Sequence, residues 1–219
     1  MIKTYYKNRL PHIVPVGAEF FITFRLADSL PFSVIQSLKD EMEFSIQKLK
    51  KEKPKNFKFL INQLKHHFSF KYDYYLDHKP FGNCYLKNEK VAQVVADRMH
   101  KFDGELYELE AYTIMPNHVH LLIDTDIQLE NPEDNSSSDD PENYVQLDKI
   151  MQMIKGGSAF EANKILGRKG TFWMKDSYDH YIRNEKDWEN TLEYIVNNPV
   201  NAGLVGDWKD WKFTYCKCM

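Results

Sequence analysis

Ala111-Tyr112-Thr113-Ile114-Met115-Pro116-Asn117-His118-Val119-His120-Leu121-Leu122-Ile123 reads as two short apolar strands around a Pro-Asn turn, the second opening on His-Val-His. Side chains alternate across a strand, so His118 and His120 leave it on one face, about 6–7 Å apart along it. Val119 points the other way, into a core. Two imidazoles side by side on a rigid strand can both reach one divalent cation. The same pattern also describes two histidines that merely pack or face water, and the rest of the chain has to decide between these readings.

Working outward, residues 18–27 are rich in aromatic and β-branched residues and predict a first, central strand. Ser29-Leu30-Pro31 ends it and opens a helix with Pro in the first turn. Helical spacing then runs from Phe32 to about Lys65 with a break at Pro54, so residues 32–87 are expected to form a helical insertion. Lys48, Lys50, Lys51, Lys53, Lys55 and Lys58 make its turn strongly basic, the composition of a solvated hairpin tip or of a DNA-contacting patch. The aromatic run through residues 66–75 suits base stacking or packing of the insertion on the body.

Asn88 to Phe102 predicts a helix with Val91, Val94, Val95 and Met99 on one side. Val145 to Leu166 predicts another, with Gly156-Gly157 as a place to bend, and residues 177–183 a short strand after Phe172-Trp173. Asn184-Glu185 starts a final helix that Pro199 is expected to stop after Asn198. A tail with Trp208, Trp211 and Tyr215 is expected to pack back on the body. Strand, helix, hairpin, helix, strand fits an α+β fold, a ferredoxin-like βαββαβ sandwich with an antiparallel sheet, a helical insertion and an added C-terminal helix bearing Tyr194. Residues 1–219 then make a single domain.

The composition is that of a folded globular chain, with 42% hydrophobic and 14% aromatic residues. No apolar run approaches the roughly 20 residues that span a bilayer, which argues against a membrane protein. Three cysteines and an N-terminus without an apolar targeting core point to a cytoplasmic setting with reduced thiols. Cys216-Lys217-Cys218 with Cys84 is too sparse a set to suggest a metal site. The net charge of −3 is unevenly spread: Asp124, Asp126, Glu130, Glu133, Asp134, Asp139, Asp140 and Glu142 carry eight negative charges with no Lys or Arg among them, leaving +5 on the remainder. Residues 126–144 are therefore expected to form a flexible acidic loop on a mildly basic body, a balance compatible with binding phosphates.

On the last helix Tyr194 and Asn198 are spaced i, i+4 and share one face. A tyrosine hydroxyl, with an ordinary pKa of about 10, is a weak nucleophile at neutral pH. It becomes effective against a phosphodiester polarised by a cation that also stabilises the charge of the transition state. Two strand histidines supply part of such a cation's shell, and an amide oxygen one turn from the tyrosine offers another ligand. A helical tyrosine taken alone is more often a core aromatic; the H-x-H upstream and the Asn-Pro at the helix end are what set this one apart.

Met115-Pro116-Asn117-His118-Val119-His120 and the run Tyr194-Ile195-Val196-Asn197-Asn198-Pro199-Val200-Asn201-Ala202-Gly203-Leu204-Val205 resemble the two signature blocks of the REP-associated tyrosine transposases, within the His–hydrophobic–His single-tyrosine transposase superfamily. Residues 10–28, 154–167 and 177–180 are similar to one branch of that group. The resemblance implies a ferredoxin-like protein, usually a homodimer, that cleaves and rejoins single-stranded or hairpin DNA in a bacterial cytoplasm. It implies His118 and His120 as ligands of Mg²⁺ or Mn²⁺, and Tyr194 as the nucleophile that stays joined to the 5′ phosphate. Asn198 stands where more distant members of the superfamily have a glutamine ligand; direct ligation, ligation through water and helix capping are all open to it. The histidine pair by itself would also accept Zn²⁺ or Ni²⁺.

Lys155 and Arg183 are candidate phosphate contacts or plain surface charges, and His180 a candidate DNA contact or proton carrier. No nucleotide-binding fingerprint is present, consistent with an exchange that conserves bond energy and needs no nucleotide cofactor. Two other readings share these residues: a catalytically weak protein that only holds hairpin DNA, and a metal-dependent hydrolase in which Tyr194 is structural.

Overall fold

The computed structural model describes residues 5–7, 11–78, 81–129 and 143–218. Most of the stretch expected as an acidic loop, residues 130–142, lies outside the described residues. Along the chain the elements are β1 (Tyr5–Lys7), β2 (Pro11–Ile13), β3 (Glu19–Arg25), α1 (Phe32–Glu52), α2 (Phe57–His78), α3 (Glu89–His100), β4 (Glu108–Ile114), β5 (His118–Asp124), α4 (Leu147–Ile165), β6 (Tyr178–Tyr181), α5 (Glu185–Asn201) and β7 (Thr214–Cys216). They divide into two compact units, Met1–Ala27 with Tyr85–Met219, and Asp28–Cys84.

The first unit is built on an antiparallel sheet in the order β6-β3-β5-β4-β7. Without β7 this is the βαββαβ arrangement of a ferredoxin-like sandwich, with β3 and β5 at its centre. Their alternation separates two layers. Phe20, Ile22 and Phe24 of β3 and Val119, Leu121 and Ile123 of β5 leave one face and pack with Val91, Val95 and Met99 of α3 and Ile150 and Ile154 of α4. Phe21, Ala111 and Leu122 leave the other face and pack with Leu192, Ile195 and Val196 of α5. Complete burial of one such aliphatic side chain stabilises by about 1.5–3 kcal/mol, so both layers hold the sheet in place.

Local chemistry explains the helix ends. Asn88 caps α3 by accepting from Lys90 N–H at 3.0 Å, with Glu89 in the first turn and Arg98 and His100 in the last. Helix α4 runs unbroken through Gly156-Gly157; a Cβ on Gly157 would stand 1.7 Å from Nη2 of Arg98, so this glycine makes room for the side chain of the neighbouring helix. The C-terminal tail does return to the body, as an edge strand: β7 pairs with β4, and Trp211 Nε1–H donates to Ile114 O at 3.0 Å.

Pro199 does not stop the last helix. α5 continues to Asn201 with Pro199 buried inside it. The stop is Gly203, in the left-handed region at φ +70°. Its N–H donates to Val200 O, and Leu204 N–H donates to Pro199 O, both at 2.9 Å, the paired bonds that satisfy the last carbonyls of a helix. The bias of a residue before proline against helical geometry is a preference, and the packing of Asn198 and Pro199, both buried, overrides it.

In the second unit α1 and α2 pack against each other as a helical hairpin turned at Lys53–Asn56. Helix α2 reaches His78, well past the expected end near Lys65, and takes in the aromatic run; Phe68, Asp73 and Leu76 are buried along it.

A Gly203→Ala substitution forces a Cβ into the left-handed region and is expected to destabilise the protein by about 1 kcal/mol in urea denaturation. Pro199→Ala is expected to leave the helical circular dichroism signal intact.

Candidate active site

The sheet aims the histidines. In the antiparallel register Thr23 lies opposite His120 and Arg25 opposite His118, so all four side chains share the face on which α5 packs, while Val119 enters the opposite core. Both histidines are fully buried. Their rings lean together across the pleat until the two Nε2 atoms are 3.0 Å apart. The outer nitrogens are held from outside: His118 Nδ1 donates to Asn117 Oδ1 at 2.7 Å, and His120 Nδ1 meets Thr23 Oγ1 at 2.9 Å. With Nδ1 of His118 donating, its Nε2 carries the lone pair, directed inward.

Burial keeps both rings neutral. It drives the His118 pKa well below the ordinary histidine value, assisted by His120 and Arg25, and brings that of His120 down to about 3. Neutral imidazole is the form that ligates a metal.

The nucleophile candidate lies against this pair. The ring of Tyr194 is 5.2 Å from that of His120, edge to face. Phe21 fills the angle between them, stacked on His120 at 5.6 Å and edge-on to Tyr194 at 5.9 Å. Tyr194 is half-buried and borders a shallow polar groove along α5 lined by Asn190, Glu193, Asn197 and Asn201. One turn further along, Asn198 is 1% exposed and its Oδ1 has no hydrogen-bond partner among the described residues. An unsatisfied buried amide oxygen is destabilising by about 1–3 kcal/mol and calls for a physical account.

This donor set fits a divalent cation. Two neutral nitrogens 3.0 Å apart have the spacing of adjacent ligands at right angles around one ion about 2.1 Å from each. The hydrogen bonds made with Thr23 and Asn117 are the outer contacts that orient ligating histidines. The orphaned Asn198 oxygen is a hard donor on the helix that faces the pair. Among the described residues no third His, Cys, Asp or Glu joins the histidines, so the remaining positions fall to Asn198 oxygen, water or substrate.

The other candidates hold the protein itself. Lys155 Nζ donates to Lys175 O at 2.8 Å and to Ser177 Oγ at 3.0 Å, and burial, opposed by Asp176, brings its pKa down to about 8. His180 pairs with Asp187 at 3.0 Å, and the same carboxylate accepts from Arg183 N–H at 3.2 Å, tying β6 to the first turn of α5. The Arg183 guanidinium lies 5.3 Å from the ring of Tyr181, whose packing is with the opposite layer. Tyr194, His118 and His120 are thus brought together with Asn198 one turn away, whereas Lys155 and His180 anchor the loop and helix around them. Thr23, Asn117, Phe21 and Arg25 escaped the sequence reading as site residues. Asn117 reads as a turn residue, and the other three become neighbours only through the strand register.

No family model matches the chain. Over 108 residues it is 33% identical to a Haemophilus influenzae protein provisionally named as a REP-associated tyrosine transposase, a match covering 49% of this chain and 58% of that protein. Over 108 residues it is 27% identical to a REP-associated tyrosine transposase of Escherichia coli, covering 49% of this chain and 53% of the relative. The matched part is therefore between half and three fifths of the length of these curated relatives. A solved structure of a REP-associated tyrosine transposase bound to a REP hairpin aligns with 95% of this chain and 81% of its own, at 18% identity and a TM-score of 0.42.

Because His120 titrates near 6.5 when unfolded and at about 3 when folded, the unfolded chain alone takes up its proton as pH falls below 6.5. The contribution of this group to the stability of chelator-treated protein should thus be flat above pH 7 and fall by about 2 kcal/mol between pH 7 and 5. Urea midpoints across that range should be less steep in His120→Gln.

Proposed function

We infer that this chain, a sequence relative of the REP-associated tyrosine transposases, is a DNA strand transferase that cleaves and rejoins single-stranded DNA beside a hairpin through a covalent phosphotyrosine. The observation that carries this reading is the contact between Tyr194 and His120 at 5.2 Å, with His120 already converging on His118 at 3.0 Å.

In this reading His118, His120 and Asn198 hold Mg²⁺ or Mn²⁺. A bound cation supplies polarisation of the phosphate and stabilisation of the charge gathered in the transition state. The protein's own share is positional. Asn117 Oδ1 fixes the tautomer and direction of His118, Thr23 fixes the direction of His120, and Phe21 wedges the tyrosine ring against His120. Arg25, on the same face, adds positive potential where a phosphate would sit.

Tyr194 Oη forms a bond to the scissile phosphorus as the bond from phosphorus to the 3′ oxygen breaks. The phenol gives up one proton and the departing oxygen takes up one, leaving a 3′-hydroxyl and a 5′-phosphotyrosine. Attack by a 3′-hydroxyl on that phosphotyrosine reverses the exchange and returns the phenol, so no nucleotide triphosphate is consumed.

The test uses labelled single-stranded hairpins from the flanks of the gene, incubated with Mn²⁺ or Mg²⁺ and run on a denaturing gel. A slow-migrating protein–DNA adduct, absent in Tyr194→Phe and reduced at least 10²-fold in His120→Ala, is the expected result. Cleavage that persists in Tyr194→Phe without an adduct would replace this reading with hydrolysis by water. Tight hairpin binding with no cleavage would replace it with a binding protein.

The outer contacts give a separate check. Thr23→Val removes the hydroxyl from His120 while keeping the shape, and Mn²⁺ affinity measured by calorimetry is expected to fall about 10–100-fold.

A further inference from the structure

We propose that the tip of the α1–α2 hairpin is a second nucleic-acid contact surface, one that grips the phosphate backbone without reading sequence. The proposal rests on the DNA reading above and extends it to a part of the chain with no share in the histidine–tyrosine site.

Residues 48–58 contain six lysines against the single acid Glu52, leaving five positive charges unbalanced. Lys48, Lys50, Lys51, Lys53 and Lys55 are all exposed, and none has an ion-pair partner among the described residues. The same hairpin neutralises a lysine further from the tip, where Lys71 pairs with Glu41. With 21 residues, α1 is about 31 Å long, so these cations are gathered at one end of an extended element.

Helix chemistry accounts for part of the cluster only. Lys50 and Lys51 in the last turn of α1 complement its terminal carbonyls. Lys53 is the C-cap, its backbone N–H donating to Leu49 O at 3.1 Å, and Lys55 lies beyond the helix. Lys53 moreover takes the left-handed conformation, φ +47°, where glycine or asparagine is the favoured terminator. A lysine there works against both backbone preference and the repulsion of its neighbours.

A partner of high and regular negative charge resolves the repulsion and gives a reason for a lysine to stand at the left-handed position. Duplex DNA carries one charge per about 1.7 Å, and neutralising its phosphates releases condensed counterions, a gain that scattered carboxylates do not offer. Phe59, in the first turn of α2, is 52% exposed beside these lysines in sequence and offers a ring for a base when the strand is single.

The test measures binding of the full-length protein to a duplex of about 30 base pairs and to an oligo-dT strand of the same length, by fluorescence anisotropy from about 50 to 300 mM salt. Lys48, Lys50, Lys51, Lys53 and Lys55 are changed together to Gln in one variant and to Arg in another. The Gln variant is expected to lose at least tenfold in affinity at about 150 mM salt on every sequence alike. Its slope of log affinity against log salt should be shallower by about 2 to 4, given a slope of about 0.9 per phosphate contact on duplex and about 0.7 on single strands. The Arg variant should bind like the parent. A loss confined to the duplex assigns the tip to a stem. A greater loss on oligo-dT, deepened by Phe59→Ala, assigns it to a single strand.

Lys53→Gly controls for folding, since it relieves the left-handed backbone and should keep or raise the melting midpoint while lowering affinity. A Gln variant with unchanged slope and affinity overturns this proposal and leaves the phosphotyrosine reading standing, because the adduct assay is scored separately. Loss limited to one DNA sequence overturns the claim of backbone recognition. Failure of the parent protein to bind any DNA at about 50 mM salt overturns both.

Discussion

The pairing of β3 with β5 sets Thr23 opposite His120 and Arg25 opposite His118, and the rest of the site inherits that register. Strand side chains repeat with a period of two, so a slip of one residue would turn both histidines into the core under α3 and α4 and expel Val119 toward α5. Burial of Phe20, Ile22 and Phe24 with Val119, Leu121 and Ile123 forbids the slip. The hydrophobic partition that folds the sheet is therefore also what aims two imidazoles at the helix carrying Tyr194.

That placement gives the histidines an environment unusual for ionisable groups. Desolvation removes their charge, and each outer nitrogen is already engaged, by Asn117 or by Thr23. What remains is a pair of inward nitrogens 3.0 Å apart and, on the facing helix, an amide oxygen with no partner among the described residues. In the protein alone the two nitrogens share one hydrogen bond and the amide oxygen is left over. Around a cation they become complementary, which is why a site with only two strong ligands still carries a specific chemical suggestion.

Rigidity comes from the ends of α5. Asn184 caps its first turn by accepting from Asp187 N–H at 3.0 Å, and the same aspartate holds His180 of β6. Gly203 closes the other end. Between them Tyr194 and Asn198 ride on a helix whose inner face is fixed by Leu192, Ile195 and Val196, so their spacing from the sheet is set by packing instead of by a mobile loop. Of the charges that the sequence offers as substrate contacts, His180 serves this anchoring, while Lys155 holds the loop ahead of β6.

The amino-acid sequence by itself determined the order of β3 to β6 and α1 to α5, the alternation that parts Val119 from its flanking histidines, and the i, i+4 relation of Tyr194 and Asn198. These are local periodicities, fixed by backbone geometry within one element. Where local rules compete the sequence was less legible: Pro199 looked like a stop, yet helix packing carried α5 past it to Gly203, and α2 ran on through an aromatic stretch that has no break of its own. In the tail the run Phe213-Thr214-Tyr215 favours a strand but is too short to read as one, and β7 forms as an edge paired with β4. Only the tertiary structure decided that Thr23, Arg25 and Phe21 stand beside the histidines, that Tyr194 meets His120, and that Asn198 is buried without a partner among the described residues. Those are contacts between residues some 70 to 180 positions apart, and strand register and desolvation, which create them, are properties of the folded whole.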